Sequence, residues 1–215
     1  MGGTIIEDHG EVPDAMKAAL ATGGVTASLA EIGEWRGAAK KQMVRHFVEL
    51  RTKPNSGREG LIDSIYRDFS ARASKAYSDV KPIAGSEDAF RKLRAKGLFL
   101  ATTTGFDRNL ADQIFDRLNW RDYFAFTVAS DEVADGRPSP FMIFHAMEGA
   151  RVDRVAETIA VGDTPLDLQA GTNAGLAGVI GVLSGAGTAE RLQREPHTHI
   201  LPSVAELPAL IDTAF

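Results

Sequence analysis

Apolar residues in the first third of the chain recur at steps of three and four. Leu61, Ile62, Ile65, Tyr66 and Phe69 form one such set, and Met43, Val44, Phe47 and Val48 form another. That spacing predicts amphipathic helices. The stretch TKPNSGRE (52–59) between them has the composition of a turn. No strand is predicted anywhere in 13–80. From Pro82 the texture changes: helix-period segments alternate with short, wholly apolar runs. The pattern predicts a helix over 85–96 that stops at Gly97, a strand over 98–103, a helix over 107–118 and a strand over 124–129. A helix beginning at Ser139-Pro140 follows, with Ser as N-cap and Pro in the first turn. Then come a strand over 158–161, a helix over 165–174 and a strand over 177–182. Such alternation implies an α/β fold, a parallel sheet covered on both faces, and 13–80 reads as a helical insertion.

Composition narrows the function classes. The 215 residues carry a formal charge of −5, 44% hydrophobic and 25% charged residues, and no cysteine. Thiol catalysis, thiolate metal sites and disulfides are therefore excluded, and the negative balance argues against nucleic acid. No run reaches the length of a membrane helix and no secretory pattern opens the chain. The expectation is a cytoplasmic protein without membrane or nucleic-acid partners.

Ligands of parallel sheets sit beyond the carboxyl ends of the strands. The 98–103 strand runs into Thr103, Thr104 and Gly105, whose hydroxyls and free N–H groups suit a phosphate oxygen; threonine also simply favours strands. The 124–129 strand leads to Arg137 in GRPSP, either a phosphate cation or a solvated loop residue. The 158–161 strand ends in VGDTPLD. Asp163 and Asp167 there have the spacing of an Mg²⁺ pair, although Thr164 with Asp167 also resembles a capping box. Finally, Gly2-Gly3-Thr4 has the look of a turn after a strand, yet only Met1 precedes it.

Together MGGT, ATTTG, GRPSP and VGDTPLD resemble, in order, the four motifs of the haloacid dehalogenase superfamily. The resemblance covers the whole chain. It implies a Rossmann-like core formed by 1–12 and 81–215, a helical cap over 13–80 and an Mg²⁺ cofactor. Asp163, Asp167 and the Gly2 carbonyl would hold the metal. Gly3, Thr4, Thr104 and Gly105 would bind phosphate, with Thr103 and Arg137 acting on the phosphoryl group. The family's nucleophilic Asp would precede Met1, so the expectation is that this residue and the first core strand lie upstream, the start having been assigned to an internal Met. The two strands beside the missing one would then each expose unpaired backbone groups.

Two departures point within the superfamily. Gly2 stands where most of its phosphatases carry a second, acid Asp, and Arg137 stands where most carry Lys. In both respects the chain resembles phosphonoacetaldehyde hydrolase (phosphonatase), which forms a Schiff base on a cap lysine with the local pattern Gly, two residues, Lys. Here Gly37 and Lys40 match in RGAAKKQMVRHF. At about 100° per residue, the stripe of Met43, Val44, Phe47 and Val48 centres within about 10° of Lys40, whereas Lys41 falls at its edge. Desolvation would favour a neutral amine at Lys40; alternatively its ammonium snorkels to water. The resemblance implies C–P cleavage of a 2-oxoalkylphosphonate. The alternatives are an Mg²⁺-dependent phosphomonoesterase and, if the nucleophile is absent, a non-catalytic phosphate-binding protein. A small phosphonate or phosphate is the implied partner, and a homodimer is open because caps of this family often dimerise.

Other residues read as structure. SGAGTAE (184–190) is a plain loop, His197 and His199 share an edge strand, and His145 packs with Phe141 and Phe144. Trp35 and Arg36, beside Gly37, are candidates for the cap side of the pocket.

Overall fold

The helix-period sets do form helices. In the computed structural model, which describes residues 1–215, four of them fill the N-terminal third: α1 (Glu11–Thr22), α2 (Leu29–Glu34), α3 (Lys40–Arg51) and α4 (Arg58–Ala76). α2 begins with a capping box in which Ser28 and Glu31 satisfy each other's backbone N–H. α3 buries Met43, Val44, Phe47 and Val48, and α4 buries Ile62, Ile65 and Phe69. Because α1 starts at Glu11, the boundary expected at residue 13 falls inside a helix.

The remainder alternates helix and strand: α5 (Ser86–Ala95), β1 (Ala101–Thr103), α6 (Arg108–Leu118), β2 (Phe126–Val128), α7 (Phe141–Gly149), β3 (Ile159–Gly162), α8 (Pro165–Asn173), β4 (Gly178–Val182), α9 (Ala189–Gln193), β5 (His199–Leu201) and α10 (Leu207–Ala214). α6 starts where Asp107 accepts a bond from the Leu110 N–H at 2.8 Å and stops at Asn119 in the left-handed conformation, φ 54°. α7 departs from expectation by a residue: Pro140 is its N-cap and Ser139 makes no cap bond.

All strand pairs are parallel, but the sheet is in two parts. β1 pairs with β2, and β3, β4 and β5 lie side by side in that order. β1 and β3 do not pair with each other. Both line a cavity of about 590 Å³ whose other walls include Met1, Ile5, Phe90 and Leu207. With a partner on one side only, β1 shortens to three residues, and Leu98 and Phe99 of the expected strand stay outside it, Phe99 71% exposed.

One apolar cluster joins the helical insertion to the α/β part. It runs from Ile6, Met16 and Leu20 through Phe47 and Phe69 to Phe106, Phe115 and Trp120. Polar bonds fasten the same junction: Tyr66 and Ser70 of α4 donate to the Asp107 carboxylate at 2.8 and 3.2 Å. α4 is thus bolted to α6, and the start of α3 lies over the strand ends. No helix is long and apolar enough to cross a membrane.

Candidate active site

Asp163 follows β3 directly and is almost fully buried. The Thr4 hydroxyl donates to its Oδ1 at 2.7 Å, and the Ala186 N–H donates to its Oδ2 at 2.9 Å. Gly3, at φ +77°, and Gly185 let two backbones close on this carboxylate; a Cβ on either would collide with it. The Gly3 carbonyl accepts from the Ser184 hydroxyl at 2.8 Å. The 184–188 loop, read from sequence as a plain connection, is therefore part of the site. Burial, then the charge of Asp167, pushes the Asp163 carboxyl above its ordinary value.

Asp167 completes a reciprocal capping box at the start of α8: its Oδ2 accepts from the Thr164 N–H at 3.0 Å and the Thr164 hydroxyl at 2.6 Å. It also pairs with Arg137. Burial works against its charge, but Arg137 and the Thr164 bonds prevail and hold its carboxyl below the ordinary range. Arg137 is itself buried, and its Nε has no partner. Arg137 lines a cavity of about 50 Å³ shared by Gly2, Asp8, Arg36, Gly37, Lys40, Thr104, Gly105, Asp163 and Asp167 among others, and also borders the larger cavity between β1 and β3.

Lys40 reaches this cavity from the cap. It is the first residue of α3, only 6% exposed, and its N–H donates to the Gly105 carbonyl at 3.0 Å. The ammonium does not snorkel. Nζ donates to the Ala38 carbonyl at 2.8 Å and lies 5.8 Å from the centre of the Phe106 ring. Burial, then the positive charge of Arg137, lowers its pKa to about 7. Lys41 points away, exposed and paired with Asp63 at 2.8 Å. Three glycines permit the approach of the cap. A Cβ at Gly37 (φ +92°) would strike the Thr164 hydroxyl, one at Gly105 the Ala38 carbonyl, and one at Gly136 would lie 2.8 Å from Ala39 Cβ. The Gly in the Gly-x-x-Lys pattern is thus a docking residue.

Thr103 lines the larger cavity between β1 and β3, which Met1, Arg137 and Asp167 also border, while Thr104 lines the small one. The Thr104 N–H continues the ladder to the Val128 carbonyl at 3.0 Å, and its hydroxyl accepts from the Phe106 N–H at 3.2 Å. Arg36 lines the cavity as its position beside Gly37 suggested, whereas Trp35 stacks on His46, 4.3 Å between ring centres. Asp8, paired with Arg36, and Tyr77, close to Gly2, were not foreseen.

Asp163 and Asp167 are oxygen ligands of the kind a hard divalent cation takes. The upward push of Asp167 on Asp163 is a repulsion that such an ion would relieve. No set of three or more His, Asp or Glu side chains surrounds a point, so further ligands would be backbone, water or substrate oxygens.

A family model of haloacid dehalogenase-like hydrolases matches residues 1–175, and the chain belongs to that family. It is 30% identical over 179 residues to a phosphonoacetaldehyde hydrolase of Bacteroides fragilis, an alignment covering 76% of this chain and 66% of the relative. The chain thus spans just under two thirds of that relative's length. Its fold resembles a hydrolase from Pseudomonas syringae (TM-score 0.87, 16% identity, covering 100% of this chain and 96% of the other). It also resembles a phosphonoacetaldehyde hydrolase-like protein from Oleispira antarctica (TM-score 0.84, 23% identity, covering 98% and 88%).

Proposed function

We propose that the chain carries the Schiff-base and phosphoryl-binding groups of a phosphonatase-like C–P hydrolase acting on a small 2-oxoalkylphosphonate. The observation that carries the reading is Lys40: a buried cap amine, lowered to about 7, in the wall of the same 50 Å³ cavity as Arg137 and Asp163. An ester phosphatase has no use for such an amine, and Gly2 offers no acid for an alkoxide leaving group.

The neutral Lys40 Nζ adds to the substrate carbonyl, and loss of water leaves an iminium. That cation accepts the electron pair of the C–P bond as it breaks and becomes an enamine, so carbon departs without an acid. Arg137, the Thr104 hydroxyl and neighbouring N–H groups hold the phosphoryl oxygens. In the family pattern the phosphoryl acceptor is an Asp of the nucleophile loop, at the position next before the one that Met1 matches. Asp163 and Asp167 would hold Mg²⁺, which when bound neutralises charge on those oxygens. The cap excludes water through the contacts at Gly37, Gly105 and Gly136.

Trapping tests the reading. Incubated with 2-oxoethylphosphonate and borohydride, the protein should gain one reduced adduct, mapped by peptide mass to Lys40 and missing in Lys40→Ala. No adduct, or one spread over exposed lysines, would refute it.

A further inference from the structure

Gly2 lines the cavity, and room for a methyl group on it is bounded by two polar groups, Asp8 of the cavity wall and Tyr77 behind it. A Cβ there would lie 3.5 Å from the Tyr77 hydroxyl and 3.8 Å from Asp8 Oδ2. Tyr77 is 2% exposed, and its hydroxyl has no hydrogen-bond partner in the protein. A buried donor left unpaired costs about 1–3 kcal/mol, so the group is poised for something that enters. Asp8 is fixed: Oδ1 accepts from the Gly10 N–H at 2.9 Å and Oδ2 pairs with Arg36, its side chain 9% exposed. Asp8 shares the cavity wall with Lys40, and its charge is the largest one opposing the fall in the lysine's pKa. The charge of Asp8, second to burial, also keeps the Tyr77 phenol protonated. Both groups come from segments outside the four motifs.

We propose that the space above Gly2 receives the substrate's carbonyl oxygen, with Tyr77 as its hydrogen-bond donor and Asp8 as the carboxylate that carries protons between that oxygen and Lys40 Nζ. The inference rests on the Schiff-base reading above. The steps balance. Asp8 takes a proton from the Lys40 ammonium, and the freed lone pair forms the N–C bond while the carbonyl π pair moves to oxygen. One nitrogen proton passes to that oxygen, giving a neutral carbinolamine. The proton stored on Asp8 then joins the hydroxyl, the C–O bond breaks, water leaves and the nitrogen pair closes the iminium. Asp8 ends as a carboxylate, and no external acid is consumed. Arg36 is the positioning residue that aims Oδ2.

The test measures imine formation in the full chain, a step that needs no phosphoryl acceptor. Each variant is mixed with 2-oxopropylphosphonate, quenched with cyanoborohydride at intervals, and its Lys40 adduct quantified by mass. Asp8→Asn should slow adduct formation on the order of 100-fold, Tyr77→Phe should slow it less, and added formate should restore part of the rate in Asp8→Ala. Parental rates in Asp8→Asn and Tyr77→Phe would overturn the proposal. So would an Asp8→Ala rate that formate leaves unchanged while Arg36→Met is equally slow, since Asp8 would then act only through its ion pair. A parental rate in Tyr77→Phe alone would remove Tyr77 from it. Absence of any adduct in the parent would instead bring down the Schiff-base reading, and this inference with it.

Discussion

The Thr4 hydroxyl donates to Asp163 Oδ1 at 2.7 Å across 159 positions of sequence. That one bond ties the opening turn of the chain to the acidic loop after β3, and the site is assembled around it. Thr4→Val removes the donor and leaves a buried carboxylate oxygen unsatisfied, at a cost of about 1–3 kcal/mol. Urea unfolding at neutral pH measures the loss; a midpoint equal to that of the parent would show that the bond is not formed.

The buried amine of Lys40 gives stability a pH dependence of known sign. Its pKa falls from 10.5 in the open chain to about 7 in the fold, so between those values the unfolded chain binds the extra proton and stability rises with pH. Lys40→Met removes this term. The variant should gain most over the parent at and below pH 7, by up to about 5 kcal/mol, and the gain should shrink steadily toward pH 10.5. Denaturant titrations of both proteins at several pH values give the comparison. A gain that is flat with pH would mean an unperturbed lysine.

Gly37→Ala should undock the start of α3. The new Cβ meets the Thr164 hydroxyl, and the residue's φ of +92° is disfavoured for any side chain. The conformational part alone costs about 1–2 kcal/mol. Lys40 should then lose its imine reaction although its own side chain is untouched. Lys41→Ala, by contrast, should trap at the parental rate, because that ammonium is exposed and paired with Asp63.

Addition of Mg²⁺ should raise the melting temperature of the parent, the stabilisation reaching about 2.7 kcal/mol at 100 times the dissociation constant. Asp163→Asn should abolish the shift. The same variant should remove a downward slope from the parent's stability curve just above the ordinary carboxylate pKa. There the folded carboxyl, pushed upward by burial and Asp167, holds a proton that the unfolded chain has released, so parental stability falls as pH rises through that interval. An equal Mg²⁺ shift in parent and variant would place the ion elsewhere.

The parts of this architecture that local pattern controls were legible in the sequence. Lys40 stood out because it interrupts an apolar helical stripe, and the fold buries it with that stripe. Thr164 and Asp167 carried a capping box, and the box forms; it also occupies Asp167 oxygens that the metal reading requires. Hidden were features set by what comes close in space. Asp8 lies in EDHGE, which reads as a solvated loop until Arg36 arrives from the turn after α2. Tyr77 is one more aromatic at the end of a helix until its hydroxyl is seen bordering Gly2. The 184–188 loop has no motif of its own because it contributes a backbone N–H and absent side chains. Thr103 closes β1 and Thr104 follows it, and no composition signal reports that one lines the larger cavity and the other the small one.

The central claim is that the cap amine and the phosphoryl-binding groups form one site. Competitive trapping of Lys40 with equal concentrations of acetone and 2-oxopropylphosphonate tests it most directly. The phosphonate adduct should dominate, and inorganic phosphate should suppress it while leaving the acetone adduct unchanged. Equal labelling by the two ketones, indifferent to phosphate, would contradict the claim.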